Sequence, residues 1–377
     1  MPKRILIISG EPSGDLHAAN LVRDLRSLDP NLQFFGVGGR LSKEAGVDIV
    51  FDITALALVG AVEVLKNIPV VKRARDAVLG RIGRDRPDLA ILVDYPGFNL
   101  RMARKLAGRG IPVAYYISPQ LWAWGRDRIN LVKRYVKKMV VFFEFEERLY
   151  RSCGIDAEFV GHPLLDTVKV ASSREETLAK YGLSKERPTV ALLPGSRPSE
   201  IRAILPVMAA AARLVKQRLG GVNFIISKHS GRPEEMYAGA LKDARIEYRL
   251  VEGDLHNIVA ASDFAVVASG TATLETAIIG TPYVLVYKAS LVTYALYMLV
   301  REIPFLGIAN VVAGRQVVPE LLQFDMTPEK IAAITVGMLS DHRKLAAMSA
   351  DLAAVKSALG SPGASLHAAR AILPLLA

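Results

Sequence analysis

The chain has one cysteine, Cys153, in 377 residues, so it can form no internal disulfide. That fits a reducing compartment, and the ordinary role of such a residue is a small buried hydrophobe. Long apolar runs are also missing. The longest candidate, Ala289 to Val300, stops at Arg301 and Glu302, short of the ~18–20 residues that a membrane-crossing helix needs. Met1-Pro2-Lys3-Arg4 leads only into Ile5 to Ile8 before Glu11 and Asp15. That run is too brief for a secretory leader and reads as a first strand. The expectation is a cytosolic or peripheral protein rather than an integral one.

Metal and nucleotide signatures are sparse too. The chain holds no Asp-x-Asp, and its six His form no i,i+4 pair, so neither a metal site nor a cofactor is expected. Neither a Walker loop nor a Gly-x-Gly-x-x-Gly follows the first strand of either half. Zinc-ligand clusters, RNA-recognition signatures and basic zippers are absent as well. The net charge of +11, from 48 Lys and Arg against 37 Asp and Glu, therefore points to anionic lipid or phosphorylated substrates, and no nucleic acid is expected as a partner.

What is present is a core. Hydrophobic residues make up 51% and charged residues 23%, which excludes general disorder. At this length two domains are expected. Two halves repeat one pattern of apolar strand, glycine-bearing turn and amphipathic helix. Strands read as Arg4–Ser9, Phe34–Val37, Leu89–Val93, Val113–Ile117 and Met139–Phe142 in the first half. In the second they read as Thr189–Leu193, Asn223–Ile226, Glu247–Leu250, Phe264–Ala268 and Tyr283–Tyr287. Short continuous apolar runs separated by helices indicate parallel strands buried on both faces. The expected fold is α/β, two doubly wound Rossmann-like domains whose parallel sheets face a central cleft. The boundary falls between Gly161-His162-Pro163 and Arg187-Pro188. That gives domains of 1–165 and 166–349, with helices from about 350–377 completing the first.

Ligands of open parallel sheets bind beyond the carboxyl ends of the strands, so the post-strand turns are where chemistry is sought. Ser9 to His17 gathers Glu11, Ser13, Asp15 and His17 in one loop with Gly10 and Gly14; a tight capped turn is the plainer reading. Asp94 stands at the mouth of an apolar strand, where partial desolvation raises a carboxyl pKa and suits a general base. An Asx-turn would use the same residue. Trp122 and Trp124, the only two tryptophans, follow another strand and can form an apolar wall for a sugar or acyl group, or simply pack. Arg126 and Arg128 beyond them suit a phosphate.

In the second half, Gly195, Ser196 and Arg197 precede a helix and suit an anion. Ser269, Gly270, Thr271, Ala272 and Thr273 start another helix, whose amides and hydroxyls suit a diphosphate. Glu275 can take both hydroxyls of a ribose; a well-capped helix would look alike. Val251 to Leu255 can read a uracil through its backbone. Without a metal, leaving-diphosphate charge must be met by Arg197, helix starts and hydroxyls. Asn310 and Arg315 lie in an apolar, glycine-flanked loop that is only suggestive.

Leu56 to Val71 is apolar and runs into Lys72, Arg73, Arg75, Arg81, Arg84 and Arg86. An apolar segment flanked by cations suits interfacial contact with anionic lipid, with Leu58, Val59, Val62, Leu65, Ile68, Val70 and Val71 as the contact set. A helix packed on the sheet is the alternative. Pro69 and an apolar face too wide for one stripe favour lipid.

Seven blocks, in order, resemble the lipid-A-disaccharide synthase family. They are Gly10–Asp15, Val59–Leu65, Ser118–Trp124, Gly161–Leu164, Leu193–Arg197, Ala268–Glu275 and Gly314–Gln323. The resemblance implies a GT-B fold and an inverting glycosyltransferase. UDP-2,3-diacylglucosamine would donate to 2,3-diacylglucosamine 1-phosphate, forming a β-1,6 disaccharide and UDP on the cytoplasmic face of the inner membrane of a Gram-negative bacterium. By motif, Asp94 resembles the family's general base, Arg197 the arginine that assists the diphosphate, and Ser269–Glu275 the UDP cradle. Asn310 and Arg315 fall in a block bordering the nucleotide. Related GT-B enzymes place a base in the first loop, which keeps Asp15 and His17 as rivals to Asp94. The family's C-terminal segment often crosses between protomers, which implies a homodimer as one arrangement. A UDP-sugar 2-epimerase on the same fold, or a non-catalytic nucleotide- or membrane-binding protein, are the competing readings.

Overall fold

A computed structural model describes residues 2–53, 68–123, 125–290, 294 and 302–376. Leu58, Val59, Val62, Leu65 and Trp124, and most of the apolar stretch from Ala289 to Val300, lie outside the described residues. The chain forms two compact units, Met1–Pro163 joined by Leu359–Ala377, and Leu164–Ala358.

The first unit is built on seven parallel strands: β1 (Arg4–Ser9), β2 (Gln33–Gly38), β3 (Asp48–Asp52), β4 (Leu89–Val93), β5 (Val113–Tyr116), β6 (Lys138–Val141) and β7 (Ala157–Phe159). Their order is β3-β2-β1-β4-β5-β6-β7. Side chains alternate across a strand, and β1 feeds both faces of the sheet. Leu6 and Ile8 join Val78, Leu92 and Tyr115 on one face. Ile5 and Ile7 join Leu21, Leu25 and Ile91 on the other. All four β1 side chains are fully buried, each contributing about 1.5–3 kcal/mol over an exposed position. The helix Ala364–Ile372 closes the second face through Ala368, Ala369 and Ile372. Cys153 is half-buried against the first face.

The second unit has six parallel strands: β8 (Thr189–Leu193), β9 (Asn223–Lys228), β10 (Arg249–Glu252), β11 (Phe264–Ala268), β12 (Tyr283–Tyr287) and β13 (Glu320–Leu322). The order β10-β9-β8-β11-β12-β13 repeats that of the first six strands of unit one. All ten strands expected from sequence are present, with Glu247–Leu250 displaced to Arg249–Glu252. β3, β7 and β13 were not foreseen; each is a sheet edge. Edges need no continuous apolar run, because one side of the ladder is open.

In both sheets the strand order reverses between the first and fourth strands, at β1/β4 and at β8/β11. The crevice beyond the carboxyl ends at such a reversal is where doubly wound sheets hold ligands. Among the described residues, no helix is long and apolar enough to cross a membrane.

Candidate functional site

In the second unit the turns after β8 and β11 border a cavity of about 480 Å³. Gly195, Ser196, Arg197, Ser269, Gly270, Thr271, Ala272 and Glu275 all line it. The helix Thr271–Ile279 begins at Gly270, whose φ of +151° favours glycine and which supplies no side-chain cap. The Thr273 amide donates to the Gly270 carbonyl at 3.1 Å, which leaves the amides of Thr271 and Ala272 for an outside acceptor, aided by the helix dipole. Thr273 turns inward instead: it is 2% exposed and its hydroxyl donates to the Gly270 carbonyl at 2.7 Å.

The β8 turn differs from the sequence expectation. Glu200 accepts the amides of both Ser196 and Arg197 at 3.2 Å, so those amides are used within the loop. Gly195 permits this approach, since a Cβ there would come within 2.6 Å of Glu200 Oε2. What the turn offers an anion is the Arg197 guanidinium, 73% exposed and only partly engaged by Glu200 at 3.2 Å. The cavity wall also includes Lys228 and His229 from the end of β9, which the sequence reading missed, and Gly253 and Leu255 from the loop after β10. Lys228 pairs with Glu252.

The first unit carries a second group of polar side chains at its own strand reversal. Asp94 and Tyr95 both have φ of +48°, strained for residues with side chains. The strain is held from behind: the Asp94 carbonyl accepts the Asn99 amide and the Tyr115 hydroxyl, each at 2.7 Å. Tyr95 also presses on the β1 turn, where a Cβ on Gly10 would lie 2.2 Å from its ring. Burial pushes the Asp94 carboxyl pKa up, the Tyr95 amide opposes this, and the negative charge of Glu11 raises it further. A half-buried carboxylate with a raised pKa suits proton abstraction.

The two rivals are placed differently. Asp15 is 4% exposed; it accepts the amides of Gly39 at 2.7 Å, Leu41 at 3.0 Å and Ser42 at 3.2 Å, together with the Ser42 hydroxyl. Its oxygens tie down the helix Arg40–Glu44, which leaves it a structural job instead of that of a base. His17 packs edge-on against Phe142, ring centres 5.6 Å apart, and burial lowers its pKa.

Beside this group, Trp122 donates its indole N–H to Glu146 at 2.9 Å. Glu146 is 3% exposed, and burial pushes its pKa up to about 7 against hydrogen bonds from Trp122, Ser118, Phe142 and Phe143. Nothing in Glu144-Phe145-Glu146-Glu147 marks which acid turns inward.

Other expected residues lie away from the cavity. Asn310 is fully buried. Its amide donates to the Val318 carbonyl and Glu320, and its oxygen accepts the amides of Val317 and Val318. That side chain is spent shaping its own loop. Arg315 forms a two-pronged pair with Asp351. Neither lines the cavity. Val70 and Val71 pack partly onto the first-unit core; Ile68 begins the helix Ile68–Arg84. Among the described residues, no group of three or more His, Cys, Asp or Glu is arranged to hold a metal ion.

The model of one protein family, described as lipid-A-disaccharide synthetase, matches residues 5–371. A lipid-A-disaccharide synthase of Syntrophus aciditrophicus is 42% identical over 375 residues, covering 99% of this chain and 98% of its own. Among solved structures, the UDP-GlcNAc 2-epimerase of Neisseria meningitidis bound to UDP-GlcNAc superposes with a TM-score of 0.63 at 11% identity, covering 98% of this chain and 100% of its own. A glycosyltransferase of Rickettsia africae gives 0.59 at 14% identity, covering 99% and 97%. At such identities the structural likeness shows the fold alone, two GT-B-type parallel α/β units.

Proposed function

The chain belongs to the lipid-A-disaccharide synthase family and is thus a glycosyltransferase of lipid A biosynthesis; from that premise we propose its substrates and the roles of its residues. The donor is UDP-2,3-diacylglucosamine and the acceptor 2,3-diacylglucosamine 1-phosphate, giving a β-1,6 disaccharide and UDP. Asp94 takes the proton of the acceptor 6-hydroxyl, whose oxygen attacks the donor C1 with inversion. The leaving diphosphate is met by the Arg197 guanidinium and the amides at the start of the helix Thr271–Ile279. Glu275 holds the ribose hydroxyls, and the backbone near Gly253 and Leu255 reads the uracil.

The observation that carries this reading is the β8/β11 cavity, which joins an exposed guanidinium, an uncapped helix start and a carboxylate in about 480 Å³. Mixing the purified protein with both lipid substrates should yield disaccharide and UDP in equal amounts. UDP released from UDP-GlcNAc with no lipid product would overturn it. The exposed cations Lys72, Arg73 and Arg84 support a peripheral position on the anionic cytoplasmic face of the inner membrane.

A further inference from the structure

We propose that Glu146 is a positioning residue for the acceptor, fixing a row of aromatic rings along which one acyl chain of the lipid substrate lies. The proposal rests on the diacylated acceptor assigned above.

The row runs along the carboxyl ends of β5, β6 and β7. Trp122 meets Phe145 edge-on at 5.1 Å, and Phe145 stacks on Phe143 at 5.3 Å. Phe143 meets His162 at 5.1 Å, His162 meets Phe142 at 5.5 Å, and Phe142 meets His17 at 5.6 Å. Trp122, Phe143, Phe145 and His162 are all partly exposed. Burial holds the His162 pKa down to about 3, so the row carries no charge at neutral pH. Successive interplanar angles of 88°, 17° and 44° give a corrugated wall. A flexible hydrocarbon chain can follow such a wall from ring to ring and bury apolar surface against each.

Glu146 sits behind the wall and ties two loops together. It accepts the Trp122 indole at 2.9 Å, while Ser118 is bonded to Tyr150 at 2.8 Å. As a carboxylate this group offers the indole only acceptors. With one neutral amide oxygen in place of two carboxylate oxygens, a glutamine there holds the Trp122 indole less firmly. The indole nitrogen is held inward, leaving the hydrocarbon part of the ring for the ligand.

The test compares the native protein, Glu146→Gln, Trp122→Phe and the double variant. Acceptors differ only in acyl length, and UDP affinity is measured alongside. Both single variants should raise KM for the long-chain acceptor about 5- to 10-fold, with little change for the short one. UDP affinity should hold, and the double variant should be no worse than the poorer single one, because both remove one tie. An unchanged long-to-short preference in Trp122→Phe overturns the proposal, and that variant decides the matter if Glu146→Gln fails to fold. Equal KM increases for both acceptors also overturn it, in favour of a sugar contact. A native protein that makes no disaccharide from either acceptor overturns the underlying substrate reading instead.

Discussion

His256 Nε2 lies 3.5 Å from Glu275 Oε1, while the other ring nitrogen, Nδ1, accepts the Lys169 amide at 3.3 Å. A nitrogen that accepts carries no proton, so the ring proton sits on Nε2, directed at the carboxylate. Glu275 is thus aimed by a residue outside the cavity wall. Glu275→Ala should weaken UDP about 10- to 100-fold, and His256→Ala about 2- to 5-fold. Titration calorimetry with UDP and 2′-deoxy-UDP checks this. If Glu275→Ala still prefers the ribonucleotide as the native protein does, Glu275 does not read the ribose.

Asp94→Asn should cut turnover ~10²–10⁴-fold with little change in UDP affinity. Glu11→Gln tests the electrostatics. Removing its negative charge lowers the raised Asp94 pKa, and a base works only when deprotonated. The acidic limb of the pH–rate profile should therefore move to lower pH. A shift upward, or a near-normal rate in Asp94→Asn beside an inactive His17→Ala, reassigns the base.

Glu146 predicts a pH dependence of stability. Its carboxyl is raised from 4.5 to about 7 in the folded chain, so between those values the folded state holds a proton that the unfolded state has lost. Stability from this group is therefore full below about pH 4.5 and falls as pH rises to about 7. His17 and His162, both lowered, act in the opposite sense, losing stability as pH falls. The readout is the difference in melting temperature between the native protein and Glu146→Gln, which should vary across that window. A constant offset refutes the assignment.

Association with anionic vesicles should depend on Lys72, Arg73 and Arg84. At about 1 kcal/mol per cation, replacing all three with Ala should lower partitioning roughly 100-fold at low salt. Raising the ionic strength should shrink the difference. Sedimentation with neutral and anionic vesicles separates this from apolar insertion, which ignores lipid charge.

Ten strands were legible because β1, β4, β8 and β11 are apolar runs buried on both faces. β7 and β13 were not, because three residues that include Glu158 or Glu320 give no periodicity to read. The helix start after β11 was legible, since Gly270 followed by small hydroxyl residues is a local signal, but the inward turn of Thr273 was not. Asn310 was not: in sequence a polar residue in an apolar loop resembles a ligand contact, and only the register of Val317 and Val318 beside it reveals that its hydrogen bonds are internal. Glu146 was hidden for the opposite reason. Glu144, Glu146 and Glu147 look like an ordinary acidic first turn, and which one faces Trp122 is decided by how the β6 turn docks on the β5 turn.

The return of the chain at Leu359 has a consequence for biogenesis. The second unit is one continuous segment, whereas the first waits for residues 359–377 to pack the helix Ala364–Ile372 against the helix Pro12–Leu28 and β6. During synthesis the half made first is therefore the half finished last. Until residues 359–377 emerge, the helix Pro12–Leu28 and β6 lack part of their cover, so a chain stalled before Leu359 is exposed to chaperones and proteases there.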